Sequence, residues 1–596
     1  MVIPAGKAAR TWRRDPQRKD FHKRVSSGVV IDAVPESSQE PGLGLPQRGA
    51  TCWDGSMEAW LDARLNHFVF GVIAAAFLLR VYAAGRSFLN PDEALHYIIL
   101  NQRSALWAYK VSLTNAHPPL IYLLLYYWKF FGRSELWLRF PSVLAGTGVC
   151  WAAYKWIGSI FGKAAGVIGL ILIAFSPAAI ALSAEVRSYA LLLFFETAAL
   201  YFAEAALDEK SVRKMWRFSI FLYLAILSHY SAIFFVLALG IYALARIVQG
   251  RLPRDVAAGW AAGQAGALAI YGFLYVTHIS KLKTTISMWE VSFDTVYSHS
   301  GHEHLFTFAR ERTLDIFTFL FENHAVASAL LLAWIAAVSL LLVRELVFRP
   351  NELSVRFTII LLLLPFLAVF GAGIAGYYPY VGSRHTVFLA PFVIAALSYL
   401  LATVNRQKLW AAIVMAVLLV GASNTSGQMF DPYITKENQS RALMKAAVKD
   451  IQQTIPTGGL IMTDYESALL LVYYLCGPEL ILPVGTFNLP GSRVKCNGYT
   501  IASFQTWGMQ APFFVSQFGK LAHAQRIMSG DRVWVFQSGW NPTLARDLPL
   551  ASPQFHCVLP KTFGDNIAVI PLAVGPDFSP VATVANCPAA AVNLNR

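Results

Sequence analysis

Asn90-Pro91-Asp92-Glu93-Ala94-Leu95-His96-Tyr97 begins the stretch that decides the fold. It runs on as IILNQRS to Ser104 and, after a polar linker, as NAHPPLIYLLLYYWKFFGRSELWLRFPSVLAG from Asn115 to Gly146. Asn90 suits a helix N-cap, Pro91 the first helical position, and Asp92 and Glu93 the first turn. His117-Pro118-Pro119 opens a second helix, Leu120 to Phe131. Its twelve residues make only about 18 Å of helix against a hydrocarbon core of roughly 30 Å, so it lies along a membrane surface rather than across it. Two surface helices after a first span, the first headed by paired carboxylates, are laid out like the porch of a site at the membrane's edge.

Working outward, 56% of the 596 residues are hydrophobic and 14% charged, where a soluble domain is about a quarter charged. The chain reads as an all-α polytopic membrane protein. Its net charge of +14 gathers in the N-terminal tail and in short loops between apolar runs, which is the positive-inside distribution. No basic patch is interleaved with exposed aromatics, so nucleic acid is excluded as a partner. The first 65 residues hold no apolar run long enough for a signal-peptide core, and cleavage is not expected.

Three parts follow. Residues 1–65 form a basic, disordered cytoplasmic tail, 66–427 the transmembrane part, and 428–596 an exoplasmic α/β domain. About eleven spans are expected: His67–Ala84, Phe140–Ile157, Ala164–Ser183, Tyr189–Leu207, Phe218–Leu227 with its flanks, Ser231–Ile247, Val256–Thr277, Ala325–Val343, Phe357–Tyr377, Thr386–Val404 and Leu409–Gly427. Lys163, Arg213, Arg251, Arg344 and Arg406 then fall on one side, the cytoplasm. An odd count places the C-terminus outside. Cys476, Cys496, Cys557 and Cys587 all follow the last span, and four cysteines in a polar tail suggest two disulfides in an oxidising compartment; four free thiols remain the alternative. In that tail, Gly459–Asp464 and Asp531–Gln537 read as strands, with helical patterns at Arg441–Gln453 and Glu466–Leu475, so a small α/β layer is expected.

The residues that can carry chemistry lie at the outer ends of the spans. Asp92 and Glu93 fit a helix cap well, since acids in a first turn complement the helix dipole. Their company suggests more: Glu185, Arg187, His229, Tyr230, Arg384 and His385 reach the same rim, where ionisable groups are costly and mark functional sites. For the arginines, anchoring near lipid headgroups is the competing reading. His299, His302 and His304 with Glu303 are candidates for a divalent metal. A lid over residues 279–324 is the preferred reading of that loop. Glu204, near a cytoplasmic end, is expected to be solvated, and Glu196 has no assignable role.

DEALHY, AHPPLIYLLLYYW, GRSELWLRFPSVLAG, SPAAIALSAEVRSYALLL, LSHYSA and SRHTVFLAP follow one another within residues 66–427. In order and spacing they resemble GT-C glycosyltransferases. The nearest are bacterial enzymes related to the rhizobial lipopolysaccharide-core galacturonosyltransferases. More remote are the aminoarabinose transferase of lipid A and the protein O-mannosyltransferases. The resemblance implies transfer of a sugar, with inversion, from a polyprenyl-phosphate donor to an envelope lipid, glycan or protein on the outer face of a bacterial inner membrane. It implies Asp92, with Glu93 beside it, and Glu185 as the acids, and His117 as the histidine of the surface helix. The acceptor hydroxyl needs a carboxylate to take its proton. The phosphate leaving group is anionic already, so cations rather than an acid help it depart; Arg187 and Arg384 are the candidates. The alternatives are a polytopic lipid or glycan transporter or flippase, which would place charges near the bilayer midplane, and a non-catalytic scaffold.

Overall fold

The computed structural model describes residues 52–282, 297, 304–347, 357–424, 440–483, 492–504, 506, 508–540, 542–551, 555 and 558–583. The chain divides between Asp54 and Gly55. The first of these units lies almost wholly outside the described residues; the second holds the helices and the sheet.

Long apolar runs form the membrane helices. The first, Cys52–Arg86, is 35 residues long, about 52 Å, and starts well ahead of the expected His67. Its opening turns therefore project beyond an apolar layer of roughly 30 Å. There Asp62 pairs with Lys163 at 3.3 Å, and Glu58 Oε1 accepts from the Leu409 amide at 2.6 Å.

Among the described residues, five helices are long and apolar enough to cross a membrane: Met57–Arg86, Tyr189–Asp208, Ala232–Gly250, His324–Glu345 and Arg384–Val404. Lys163–Ala174 with Pro177–Ser183 makes a sixth if the pair, bent by 59°, is one span. The other expected spans also coincide with helices, Glu135–Phe161, Val212–Ser228, Arg254–Leu274, Thr358–Ile374 and Leu409–Ser423. These do not meet the same test of length and hydropathy, so the expected eleven spans are not established.

The bend in the sixth has a local cause. Pro177 lacks an amide hydrogen and pushes Ser176 out of the helical region, and Ser176 caps the second piece instead. The carbonyls freed at the end of the first piece are met by Arg80, fully buried in the first helix. Its Nη1 donates to Ala174 O at 2.9 Å and its Nη2 to Ile173 O at 3.3 Å, while Nε donates to Ser183 Oγ at 3.3 Å. One guanidinium so holds both halves of the break that leads into Glu185. Arg80→Leu leaves these carbonyls unmet, and the expected loss is about 3 kcal/mol of stability. Thermal unfolding in detergent measures it; an unchanged midpoint would mean that Pro177 alone sets the bend.

Glu204 departs from expectation. It is buried, and its two oxygens accept from Arg246 Nη1 at 3.2 and 3.0 Å, with Tyr242 also donating to it. The carboxylate faces a cation on the neighbouring helix Ala232–Gly250, and burial is sustained by that pairing rather than by water.

Between the first helix and Glu135–Phe161 lie three short helices, Pro91–Leu100, Ala105–Ser112 and Leu120–Trp128. The middle one occupies the expected linker, started by Ser104, whose Oγ accepts from the Trp107 amide at 3.2 Å. The second half of the expected lid is also helical, Leu305–Phe321, because Phe308, Ile316, Phe317, Leu320 and Phe321 give it one buried face. His299 and His302 lie outside the described residues; His304 precedes this helix and is exposed.

The C-terminal part is an α/β layer with strands β1 (Leu460–Thr463), β2 (Arg493–Cys496), β3 (Tyr499–Ser503), β4 (Arg532–Ser538), β5 (Lys561–Thr562), β6 (Ile567–Val574) and β7 (Pro580–Ala582). The order is β2-β3-β1-β4-β6-β5, with β7 on β6; β3, β1 and β4 are parallel and the other pairings antiparallel. Asn497-Gly498, both at positive φ, turn β2 into β3 as a two-residue hairpin requires. Cys476 and Cys496 form a disulfide; Cys557 and Cys587 lie outside the described residues.

This layer is continuous with the surface helices. Tyr465–Tyr474 packs beside Pro91–Leu100 in one apolar cluster that includes Tyr97, Leu100, Leu470 and Leu471. Pro478 O accepts from Asn101 Nδ2 and Arg133 Nη1, both at 3.1 Å, and from Tyr97 Oη. The Tyr474 hydroxyl takes the Leu89 amide at 2.7 Å. Gly539 allows the layer to approach Pro91: a Cβ there would stand 3.0 Å from Pro91 Cγ.

Candidate active site

The helix Pro91–Leu100 begins with a full capping box. Asn90 Oδ1 accepts from the Glu93 amide at 2.9 Å, and Glu93 Oε2 accepts from the Asn90 amide at 2.9 Å. The two neighbouring carboxylates are then sent to different tasks.

Glu93 turns inward and is 1% exposed. Arg139 Nε and Nη2 donate to its two oxygens at 2.8 and 2.6 Å, and the Val186 amide donates to Oε1 at 2.7 Å. The remaining Arg139 hydrogens go to the carbonyls of Ala84, Ser87 and Phe88 at 2.7, 2.8 and 2.8 Å. Every N–H of this guanidinium has a partner, and Glu93 joins the Asp92 helix to the loop that bears Glu185 and Arg187.

Asp92 turns toward the other spans and stays partly open. Its Oδ2 accepts from Arg384 Nη1 at 2.8 Å and pairs with Arg187 Nη2 at 3.0 Å. Burial pushes its pKa up, but Arg187 and then Arg384 outweigh that and hold the carboxyl well below the ordinary range. Glu185 behaves oppositely. It is buried, and among the described residues Oε1 has only Asn90 Nδ2 at 3.5 Å and Oε2 has no partner. Burial, then the charge of Glu93, raises its pKa to about 8. The two carboxyls are therefore pushed in opposite directions, Asp92 toward the ionised form and Glu185 toward the protonated one, the separation that acid–base sites use.

A wall of aromatic rings closes the cluster. His117 lies 5.5 Å from His96, 5.4 Å from His229 and 6.1 Å from Tyr189, centroid to centroid; His229 lies 6.2 Å from His385. His96 Nδ1 is 2.8 Å from the Asp92 carbonyl and must donate to it, so Nε2 accepts from Tyr122 Oη at 3.2 Å. His229 Nδ1 accepts from the Ser231 amide at 3.1 Å, which leaves the proton on Nε2. Burial, then Arg187, lowers the pKa of His96 and of His229 to about 3 and that of His117 well below its usual value. The arginines are thus the cations of the site, and these imidazoles are neutral.

Polar atoms without partners concentrate here: His117 Nδ1, Glu185 Oε2, Arg187 Nε, Ser188 Oγ and Tyr189 Oη are all buried and unpaired among the described residues. Such atoms are costly in a finished interior and mark where a polar ligand belongs. Asp92, Glu185, His117, Arg187, His229, Arg384 and His385 converge. Tyr230 stands aside: its hydroxyl meets His278 Nδ1, and His278 Nε2 donates to Asn115 O at 2.6 Å. His96, Tyr189 and Arg139 were not singled out from sequence. His96 lies one turn beyond Asp92 on a helix recognised as functional, a signal that was there to use. Among the described residues, no three His, Cys, Asp or Glu side chains gather to hold a metal.

Residues 116–275 match the family model of dolichyl-phosphate-mannose-protein mannosyltransferases. No curated protein matches the chain. ArnT from Cupriavidus metallidurans, solved bound to undecaprenyl phosphate, has a similar fold: TM-score 0.50 at 12% identity, covering 85% of this chain and 98% of that one. The Archaeoglobus fulgidus oligosaccharyltransferase tethered to an acceptor peptide gives 0.47 at 13% identity, covering 88% and 77%. In sequence over the matched segment, and in fold, the chain resembles the GT-C glycosyltransferases.

Proposed function

We propose that this GT-C-like chain is an inverting membrane glycosyltransferase. It takes a sugar from a polyprenyl-phosphate donor and gives it to an envelope lipid, glycan or protein at the exoplasmic face. The observation that carries the reading is the pair of arginines, Arg187 and Arg384, beside two carboxyls pushed toward opposite protonation states, ringed by unpartnered polar atoms. Arg187 and Arg384 bind the donor phosphate, and His117 with Tyr189 completes its cradle. Asp92 takes the proton of the acceptor hydroxyl. The acceptor oxygen then bonds to the anomeric carbon as the bond from that carbon to the phosphate oxygen breaks. Its electron pair stays on the phosphate, where the guanidiniums stabilise it. Glu93 and Arg139 hold the two acidic loops in register.

A transporter would also account for a bent span and for Glu196, buried in a span with neither oxygen paired among the described residues. It leaves the paired carboxyls beside two guanidiniums unexplained.

Glu185 supplies the test. Its raised pKa makes it a hydrogen-bond donor below about pH 8. Ionisation above that value adds a negative charge beside the phosphate. In a purified assay with labelled polyprenyl-phosphate sugars, kcat/KM is expected to fall as pH rises through about 8. Glu185→Gln, which keeps the neutral form, retains activity and loses that alkaline fall. If Glu185→Gln is inactive and the wild type gains activity through the same range, Glu185 is the base instead. If no polyprenyl-phosphate sugar is turned over at any pH, the transferase reading fails.

A further inference from the structure

The resting partner of both site arginines is the carboxylate assigned as the base. Asp92 Oδ2 carries Arg384 Nη1 at 2.8 Å and Arg187 Nη2 at 3.0 Å. Proton transfer to a carboxylate in that setting works against two cations, so Asp92 at rest is a feeble base. Arg187 meanwhile is poorly used. It is 3% exposed, its Nε has no partner among the described residues, and its Nη1 faces His96 Nδ1 at 3.5 Å, an atom already donating to a carbonyl. Among the polar side chains around it, Glu185 Oε2 and Ser188 Oγ are also unpaired. The arrangement holds Arg187 ready without satisfying it.

We propose that Asp92 is a place-holding counter-ion. The donor phosphate, on binding, draws Arg187 and Arg384 away from Asp92 Oδ2 and so converts Asp92 into a competent base. A phosphate offers more charge and more acceptor oxygens in the planar geometry a guanidinium favours, and it competes well with a single carboxylate oxygen. The base is then strong only when the lipid-linked sugar is seated. Acceptor activation is thereby tied to donor occupancy. This rests on the reading of the cluster as a donor-phosphate site.

Because Asp92 competes with the phosphate, removing its charge strengthens phosphate binding even as it stops transfer. Binding of undecaprenyl phosphate in detergent micelles to the full chain is the measurement. Asp92→Asn is expected to tighten it by about 10-fold, whereas Asp92→Glu, which keeps the charge, does not. Unchanged or weaker binding in Asp92→Asn overturns the proposal alone. Failure of the wild type to bind undecaprenyl phosphate overturns the site reading and the proposal with it. A structure of the wild-type complex decides the same point without substitution. Both guanidiniums on the phosphate and beyond 4 Å from Asp92, roughly the limit for an ion pair, support the exchange; both salt bridges intact beside a bound phosphate refute it.

Discussion

Asp92→Asn is expected to lower turnover by about 10²- to 10⁴-fold, the usual cost of removing a general base, in a protein that still folds and still binds the lipid phosphate. Asparagine keeps the shape of the side chain and its place in the first helical turn, and the capping box beside it depends on Asn90 and Glu93 rather than on Asp92. What it loses is the ability to take a proton and to pair with Arg187 and Arg384. Initial rates with a labelled polyprenyl-phosphate sugar give the number. Near-wild-type turnover would reduce Asp92 to a rest for two arginines.

Glu93→Gln is expected to act by a different route and to cost about 3–5 kcal/mol of stability, as breaking a fully buried ion pair from one side does. Arg139 would keep its charge at 1% exposure with only carbonyl partners left. The substituted side chain would also offer an amide nitrogen where Glu93 now accepts, so either the Val186 or the Asn90 amide loses its partner. The midpoint of thermal unfolding in detergent should drop sharply, and transfer should fall with the amount of folded protein. A stable Glu93→Gln protein that is catalytically dead, next to an active Asp92→Asn, would move the base to Glu93.

The division of labour between these adjacent acids marks where the sequence stops being legible. Asn90-Pro91-Asp92-Glu93 announces a helix start, because capping is local chemistry. Nothing local tells that Glu93 faces Arg139, 46 positions on, while Asp92 faces Arg187 and Arg384, the latter 292 positions away. Arg80 was hidden for a related reason. Within an apolar run it looks like an interruption, and its task exists only once Pro177 has opened the carbonyls of Ile173 and Ala174. Ala164 to Ser183 reads as one span because its hydropathy is continuous, although a proline at 177 restricts the residue before it. The partner of Glu204 is likewise invisible locally, because Arg246 reaches it from the neighbouring helix, not from its own.

The C-terminal layer shows the same pattern. Leu460–Thr463 and Arg532–Ser538 were readable as strands because both are buried, apolar runs. β2 and β3 were not, since β2 alternates polar, exposed residues with buried ones and β3 opens on two half-buried ones, although the Asn497-Gly498 pair between them is a strong hairpin signal. The contact of Gly539 with Pro91 and the triple use of Pro478 O could not be foreseen, since they join parts of the chain that sequence treats as separate domains.

Mass spectrometry of envelope glycolipids and glycans from three strains decides whether Asp92 carries the transfer: one producing the wild-type chain, one lacking it, and one producing Asp92→Asn at equal abundance. One envelope acceptor is expected to lose a sugar and the matching polyprenyl-phosphate sugar to accumulate, equally in the deletion and Asp92→Asn strains. An Asp92→Asn profile identical to the wild type, with a changed profile in the deletion, would contradict that role of Asp92.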